Sequence, residues 1–344
     1  MTPRRAPTRV LVCDESPAYG QSLARFLGAG GELDIVGVCA TGEAAVDALS
    51  RLSPELVTID LDLSGMGATR TIEAIMRSHP MPIVIVGEGA GRGSARVADG
   101  LAAGAMEALP KALLRIDEPD GAPAVALRHR LRRLARNGIP PTPSRPARPA
   151  SQAVGGARVI GICASAGGPA ALELVLAALP SDFPLPVLVV QHITNGFMGG
   201  LVQRLDQLSA LPVRIARDGQ PADPGVWFPP DDAHLLLEHS LRLGLDAETV
   251  VGAHRPSADL LLESMASALG AHAVGVVLTG MGRDGAHGVE AIMRAGGSVI
   301  AQDEGSSAVF GMPRAAAEAG AEVVLPLASI AAALGDLAAA ETRA

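Results

Sequence analysis

Residues 158–169 read RVIGICASAGGP, and this stretch decides how the second half of the chain is built. An apolar run too short for a helix ends abruptly in Ser165 and two glycines, and a helical pattern follows Gly168. Short buried runs of this kind, bounded by turn residues and followed by helical periodicity, are the mark of βα units in a parallel sheet. Working outward, Leu185–Gln191, Val274–Thr279 and Ser298–Gln302 repeat the pattern, with helices predicted after Thr194, Ser257 and Ala286. The Pro-rich stretch from Val213 to Leu245 breaks the alternation and predicts a β insertion of hairpins.

The same alternation fills the first third of the chain. Strands are predicted at Val10–Cys13, Ile35–Cys39, Leu56–Asp60, Ile83–Val86 and Ala105–Leu109, and helices from near Ala18, Gly42, Ala68 and Gly93. Five βα units in so short a span predict a small doubly wound parallel sheet. Between the two α/β regions, residues 127–157 read LRHRLRRLARNGIPPTPSRPARPASQAVGGA. The part up to Arg136 resembles the end of a basic amphipathic helix, and the repeated prolines after it cannot pack as an element. The organisation predicted is residues 1–127, a basic linker over 128–157, and residues 158–344. The class is α/β throughout: an N-terminal doubly wound (βα)5 domain, then a doubly wound domain with a mostly parallel sheet and a hairpin insertion.

Composition narrows the partners. With 48% apolar residues in 344, two cores can be filled, yet there are only five Phe, one Tyr and one Trp. The cores are therefore aliphatic, and platforms for stacking bases are scarce. A net charge of −8 disfavours a phosphate backbone, so nucleic acid is not an expected partner. No run approaches the roughly 18 apolar residues of a membrane span, and no signal segment precedes Val10, which predicts a cytoplasmic protein without membrane insertion. Cys13, Cys39 and Cys163 match no metal spacing and are expected to be reduced and buried.

In open α/β sheets chemistry gathers beyond the carboxyl ends of the strands. Read at those ends, the N-terminal region offers Asp14 and Glu15, then Asp60, then Lys111. Three carboxylates in one crevice repel one another and call for a divalent cation with oxygen ligands, Mg²⁺ being the usual one. A carboxylate beside a cation and a lysine suits an aspartyl-phosphate acceptor, because the arriving phosphoryl charge must be neutralised. Over residues 8–130 these positions resemble the receiver domains of two-component response regulators. The resemblance implies Asp60 as phosphoryl acceptor, Asp14 and Glu15 as the Mg²⁺-organising acids, and a sensor histidine kinase as phosphodonor. Four positions depart from that family: Gly87 carries no hydroxyl at the end of strand four, Ala108 replaces an aromatic, Ala112 replaces a proline, and the second acid is Glu15 rather than Asp. A degraded switch and weak phosphorylation-dependent activation are expected.

The C-terminal strand ends offer Ser165, His192 and Asp284. Ser165 falls at a strand-to-helix turn, where free backbone N–H groups and two glycines suit an oxyanion hole. His192 is placed to take its proton, and Asp284 to hold and charge-balance the imidazole. The glycines of GMGRDG, residues 280–285, lack the G-x-G-x-x-G spacing of a dinucleotide loop. ICASAGG (162–168), VVQHI (189–193), HRPSAD (254–259), LTGMGRDGA (278–286) and AQDEGSSAVFGMP (301–313) together resemble the catalytic domain of the chemotaxis protein-glutamate methylesterases, the CheB family. That resemblance implies Ser165 as nucleophile, His192 as general base, Asp284 as its partner, and the Ala166 and Met281 amides as oxyanion donors. It also implies methyl-accepting chemotaxis receptors as substrate, hydrolysis of glutamyl methyl esters without a cofactor, and deamidation of receptor glutamines. His254 and Arg255 fall in a motif with no role assigned, and His234, His239, His272 and His287 are expected to be structural. A non-catalytic signalling adaptor and a serine esterase of another substrate are the alternative readings.

Overall fold

The computed structural model describes residues 6–87, 92–136, 158–249 and 254–341. They fall into two compact units, one up to about residue 139 and one beyond it. In the first, β1 (Thr8–Cys13), α1 (Pro17–Gly28), β2 (Leu33–Cys39), α2 (Gly42–Leu52), β3 (Leu56–Asp60), α3 (Ala68–Ser78), β4 (Ile83–Gly87), α4 (Arg92–Ala102), β5 (Glu107–Pro110) and α5 (Ala122–Arg136) come in that order. The sheet order is β2-β1-β3-β4-β5, every pair parallel. Strands β3 and β4 are buried along their length and β1 at all but Arg9, as strands covered by helices on both faces must be. Because β1 leads outward to β2 and back across to β3, the order reverses between β1 and β3. Their carboxyl ends open a crevice there.

Composition placed the first boundary too early. Helix α5 continues to Arg136, and Arg128, Leu131 and Leu134 on it are buried. The Arg128 guanidinium donates to the Phe26 carbonyl at 3.3 Å and to the Pro119 carbonyl at 2.7 Å. Part of the basic run is therefore a core-facing stripe of the first unit, not linker. The proline-rich stretch after it lies outside the described residues.

The second unit contains β6 (Val159–Ala164), α6 (Gly168–Ala177), β7 (Pro186–Gln191), α7 (Met198–Leu208), β8 (Val213–Ile215), β9 (Gly225–Phe228), β10 (His234–Leu237), β11 (Leu243–Asp246), α8 (Ala258–Leu269), β12 (Ala273–Val277), α9 (Ala286–Arg294), β13 (Ser298–Gln302), α10 (Met312–Glu318), β14 (Val323–Leu325) and α11 (Leu327–Glu341). Seven strands form one parallel sheet in the order β14-β13-β12-β6-β7-β9-β8. The insertion predicted over 213–245 is smaller than expected. Strands β8 and β9 extend the main sheet, and only β10 and β11 form an antiparallel hairpin apart from it.

Alternate residues of β6 serve different cores, as the strand pleat requires. Ile160, Ile162 and Ala164 join a cluster with residues of α6, α7 and α11, while Val159 and Cys163 join one with residues of α8, α9 and α10. Strand β6 is the first made and lies near the middle, so the chain builds outward through β7 and then returns to add β12. This places a second reversal between β6 and β12. No described helix is long and apolar enough to cross a membrane.

Candidate active site

In the first unit the strand ends bring together Asp14, Asp60 and Lys111. Both carboxylates are almost fully buried, and Lys111 Nζ lies 3.3 Å from Asp14 Oδ2 and 2.9 Å from Asp60 Oδ2. Each carboxylate is turned by a backbone amide: Ser16 N–H donates to Asp14 Oδ1 at 2.9 Å and Asp62 N–H to Asp60 Oδ1 at 3.3 Å. The Oδ2 atoms face the ammonium without an aligned hydrogen bond. Burial and then the neighbouring Asp60 push the Asp14 carboxyl up, against the pull of Lys111. Burial works against the Lys111 charge, but the Asp60 and Asp14 carboxylates facing it outweigh that and raise its pKa. Lys111 Nζ also sits 4.6 Å from the centre of the Tyr19 ring, a cation–π distance.

Glu15 departs from expectation. Its carboxylate accepts a 2.9 Å bond from Ser64 Oγ, and among the described residues no group of three His, Cys, Asp or Glu is arranged to hold a metal ion. The two buried Oδ2 atoms of Asp14 and Asp60 are nonetheless hard oxygen donors of the kind Mg²⁺ takes. Gly87 has a structural reason. A Cβ there would lie 2.4 Å from Leu61 Cδ1, so the space beside the acceptor strand end is filled by Leu61 rather than by a hydroxyl.

In the second unit the three sequence-predicted residues leave neighbouring strand ends. Ala164 pairs with Gln191 across β6 and β7, and His192 N–H donates to the Ala164 carbonyl at 2.9 Å. Ser165 and His192 therefore emerge side by side. Gln191 Nε2 braces both, donating at 2.8 Å to the Ser165 carbonyl and at 2.8 Å to the His192 carbonyl. Asp284 reaches them from the loop after β12. Its Oδ2 accepts from His192 Nε2 at 2.7 Å, with both side chains about nine-tenths buried. That bond fixes the proton on Nε2 and leaves Nδ1, which is buried and without a hydrogen-bond partner, as the basic nitrogen.

Asp284 is held at the start of α8, where unsatisfied amides and the helix dipole favour a negative charge. Ala258 N–H donates to Oδ2 at 2.8 Å, Asp259 N–H to Oδ1 at 3.1 Å, and the N-cap hydroxyl of Ser257 to Oδ1 at 3.1 Å. Burial opposes ionisation, but the His192 bond and these amides outweigh it and hold the carboxyl well below the usual range. His234, fully buried at the start of β10, accepts the Ser257 N–H on Nδ1 at 3.0 Å. The hairpin thus anchors the helix end that anchors Asp284. His254 stacks on His192 with ring centroids 4.2 Å apart and planes within 6°.

The turn after β6 carries Gly167 at φ 76°, a conformation that favours glycine. Ser165 N–H is spent on the Thr279 carbonyl at 3.0 Å, which ties the nucleophile's turn to the loop after β12. Thr279 Oγ1 donates to the Ala166 carbonyl at 2.9 Å and accepts from Val309 N–H at 2.9 Å. The Ala166 and Met281 amides hydrogen-bond to nothing among the described residues. Gly280 comes so close that a Cβ on it would lie 2.9 Å from Ser165 Cβ. Gln191, Ser257 and Thr279 are members that sequence reasoning did not single out, and His254 is one it named without a role. Gln191 and Thr279 had a signal, each a polar residue closing an apolar run.

Fold and site together define an ester-hydrolysing domain built on a parallel sheet, preceded by an aspartate-centred receiver-type domain. Residues 160–334 match the CheB methylesterase family model, and residues 10–117 match that of the response regulator receiver domain. The chain is 41% identical to protein-glutamate methylesterase/protein-glutamine glutaminase 3 of Myxococcus xanthus, covering 94% of this chain and 92% of that protein. It is 40% identical to the protein of the same name in Anaeromyxobacter dehalogenans, over 92% of this chain and 95% of that one. The CheB methylesterase catalytic domain of Thermotoga maritima aligns in full with 54% of this chain, at 39% identity and a TM-score of 0.51. This chain belongs to the CheB methylesterase family.

Two outcomes are expected. Gly280→Ala displaces Ser165 and lowers kcat on the order of 10- to 100-fold while circular dichroism stays that of the native fold. Because the Asp284 carboxyl is depressed by folding, its stabilising contribution is present at neutral pH and is lost as pH falls below about 4. The stability gap between the native protein and Asp284→Asn, measured by urea unfolding, shrinks across that range.

Proposed function

We propose that this chain hydrolyses γ-glutamyl methyl esters on the helices of chemoreceptors, and deamidates selected receptor glutamines by the same route. The observation that carries this reading is the Asp284–His192 bond of 2.7 Å, which leaves His192 Nδ1 basic beside the Ser165 strand end. Ser165 Oγ attacks the ester carbonyl as His192 Nδ1 takes its proton. The negative oxygen that forms is met by the Ala166 and Met281 amides. Collapse breaks the C–O bond, and His192 returns the proton to the departing methoxide, giving methanol. Water, deprotonated by His192, then cleaves the acyl-serine and releases glutamate. With glutamine the first leaving group is ammonia. Throughout, Asp284 balances the imidazolium without itself taking the proton. No step calls on a cofactor.

For the first unit we infer phosphorylation of Asp60, with a sensor histidine kinase as donor. Asp14 and Asp60 would hold Mg²⁺ and Lys111 would pair with the phosphoryl group; the cation supplies charge neutralisation for the incoming phosphate. Glu15, whose Oε2 accepts from Ser64, would join that site through its other oxygen. Leu61 packed into the Gly87 space leaves no hydroxyl to relay the event, which supports weak activation. Substrate and kinase of this kind imply a cytoplasmic site of action.

The decisive experiment is methanol release from methylated receptor. Ser165→Ala is expected to abolish it, and Asp284→Asn to lower kcat by up to about 10⁴-fold; normal turnover in Ser165→Ala would refute the assignment. Acetyl phosphate with Mg²⁺ is expected to phosphorylate Asp60 and to raise turnover only slightly. A metal chelator should remove the phosphorylation and leave basal hydrolysis unchanged.

A further inference from the structure

Cys13 and Cys39 close two adjacent parallel strands and are opposite each other in the β1–β2 register. Residues paired in this way project from the same face of a sheet. The strand spacing, about 4.8 Å, falls within the Cα separation of roughly 4.4–6.8 Å that disulfides span. Cys39 Sγ donates to the Ala44 carbonyl at 3.5 Å, one turn into the helix that follows β2. The surroundings of the two thiols differ. Cys13 is buried, whereas Cys39 is partly exposed on β2, the edge strand of its sheet. Cys163, the third thiol, is fully buried with no cysteine beside it. All three are free thiols as expected; the expected burial holds for Cys13 and Cys163 and fails for Cys39.

We propose that Cys13 and Cys39 form a reversible dithiol–disulfide site that reacts with hydroperoxides. Cys39, the partly exposed member of the pair, attacks a peroxide oxygen as thiolate. The O–O bond breaks, leaving a sulfenic acid and releasing water from hydrogen peroxide. Cys13 sulfur then attacks Cys39 sulfur, the S–O bond breaks, and a second water leaves. The sum is two thiols and one peroxide giving one disulfide and two waters, and a small dithiol reverses it. The bridge would staple the strand that ends at Asp14 to the sheet edge. This proposal is independent of the esterase reading.

The sequence makes the test direct. Trypsin cleavage after Arg25 separates the two cysteines into peptides 10–25 and 26–51. Full-length protein is treated with hydrogen peroxide, alkylated, digested and analysed by mass spectrometry. The expected product is a linked pair of these peptides, lighter by two hydrogens and separated by dithiothreitol. Unlinked peptides overturn the proposal, whether both cysteines are alkylated or Cys39 alone carries added oxygen; a bridge between two chains overturns it as well. In Cys13→Ser, Cys39 should accumulate as a sulfenic acid that dimedone traps. Absence of that adduct in a folded variant overturns the order of attack.

Discussion

The second unit depends on one buried carboxylate. Asp284 is held by four donors: His192 Nε2, the Ser257 hydroxyl, and the Ala258 and Asp259 amides. A buried charge survives only when it is paired and bonded, and here a helix terminus supplies most of what is needed. The arrangement works in both directions. The carboxylate satisfies amides that would otherwise be orphaned at the start of α8, and the amides keep it ionised and turned toward His192. The antiparallel hairpin belongs to the same assembly, since His234 secures Ser257. Leu237 N–H also donates to Ser264 Oγ on α8 at 3.0 Å.

The first unit uses the same sheet logic with the opposite balance of charge. Two buried acids face one ammonium, so the pocket has more negative charge than Lys111 neutralises, which is a receptive state for a cation. Gly87 and Leu61 then read as one substitution made at two places. The side chain after the acceptor has grown into the room that a β4 side chain would occupy. Restoring a hydroxyl at Gly87 alone would drive a Cβ into Leu61.

Much of this was legible because parallel sheets gather their chemistry at strand ends. Asp14, Asp60 and Lys111, like Ser165, His192 and Asp284, stand at or just beyond the last residue of an apolar run, where a reader of the sequence would look. The features that stayed hidden depended on contacts distant in sequence. Ser257 looks like an ordinary N-cap until Asp284 is folded against it. The bond from Ser64 to Glu15 joins residues 49 apart and has no signature in the sequence. Strands β8 and β14 have three residues each, too few for a periodicity to declare itself. The burial of one face of α5 was obscured by its arginines, because a basic run reads as surface while Arg128 is spent on buried carbonyls.

The position of β6 also sets the order in which activity can arise. Ser165 and His192 are made early in the second unit, yet His192 waits 92 residues for Asp284. The sheet cannot close on its middle strand until β12 has been made, and contacts so distant in sequence are slow to form. A chain emerging from the ribosome therefore carries its nucleophile and base for a long interval without the acid that aligns them. Hydrolytic competence comes late in synthesis, after the residues that precede it have had time to fold.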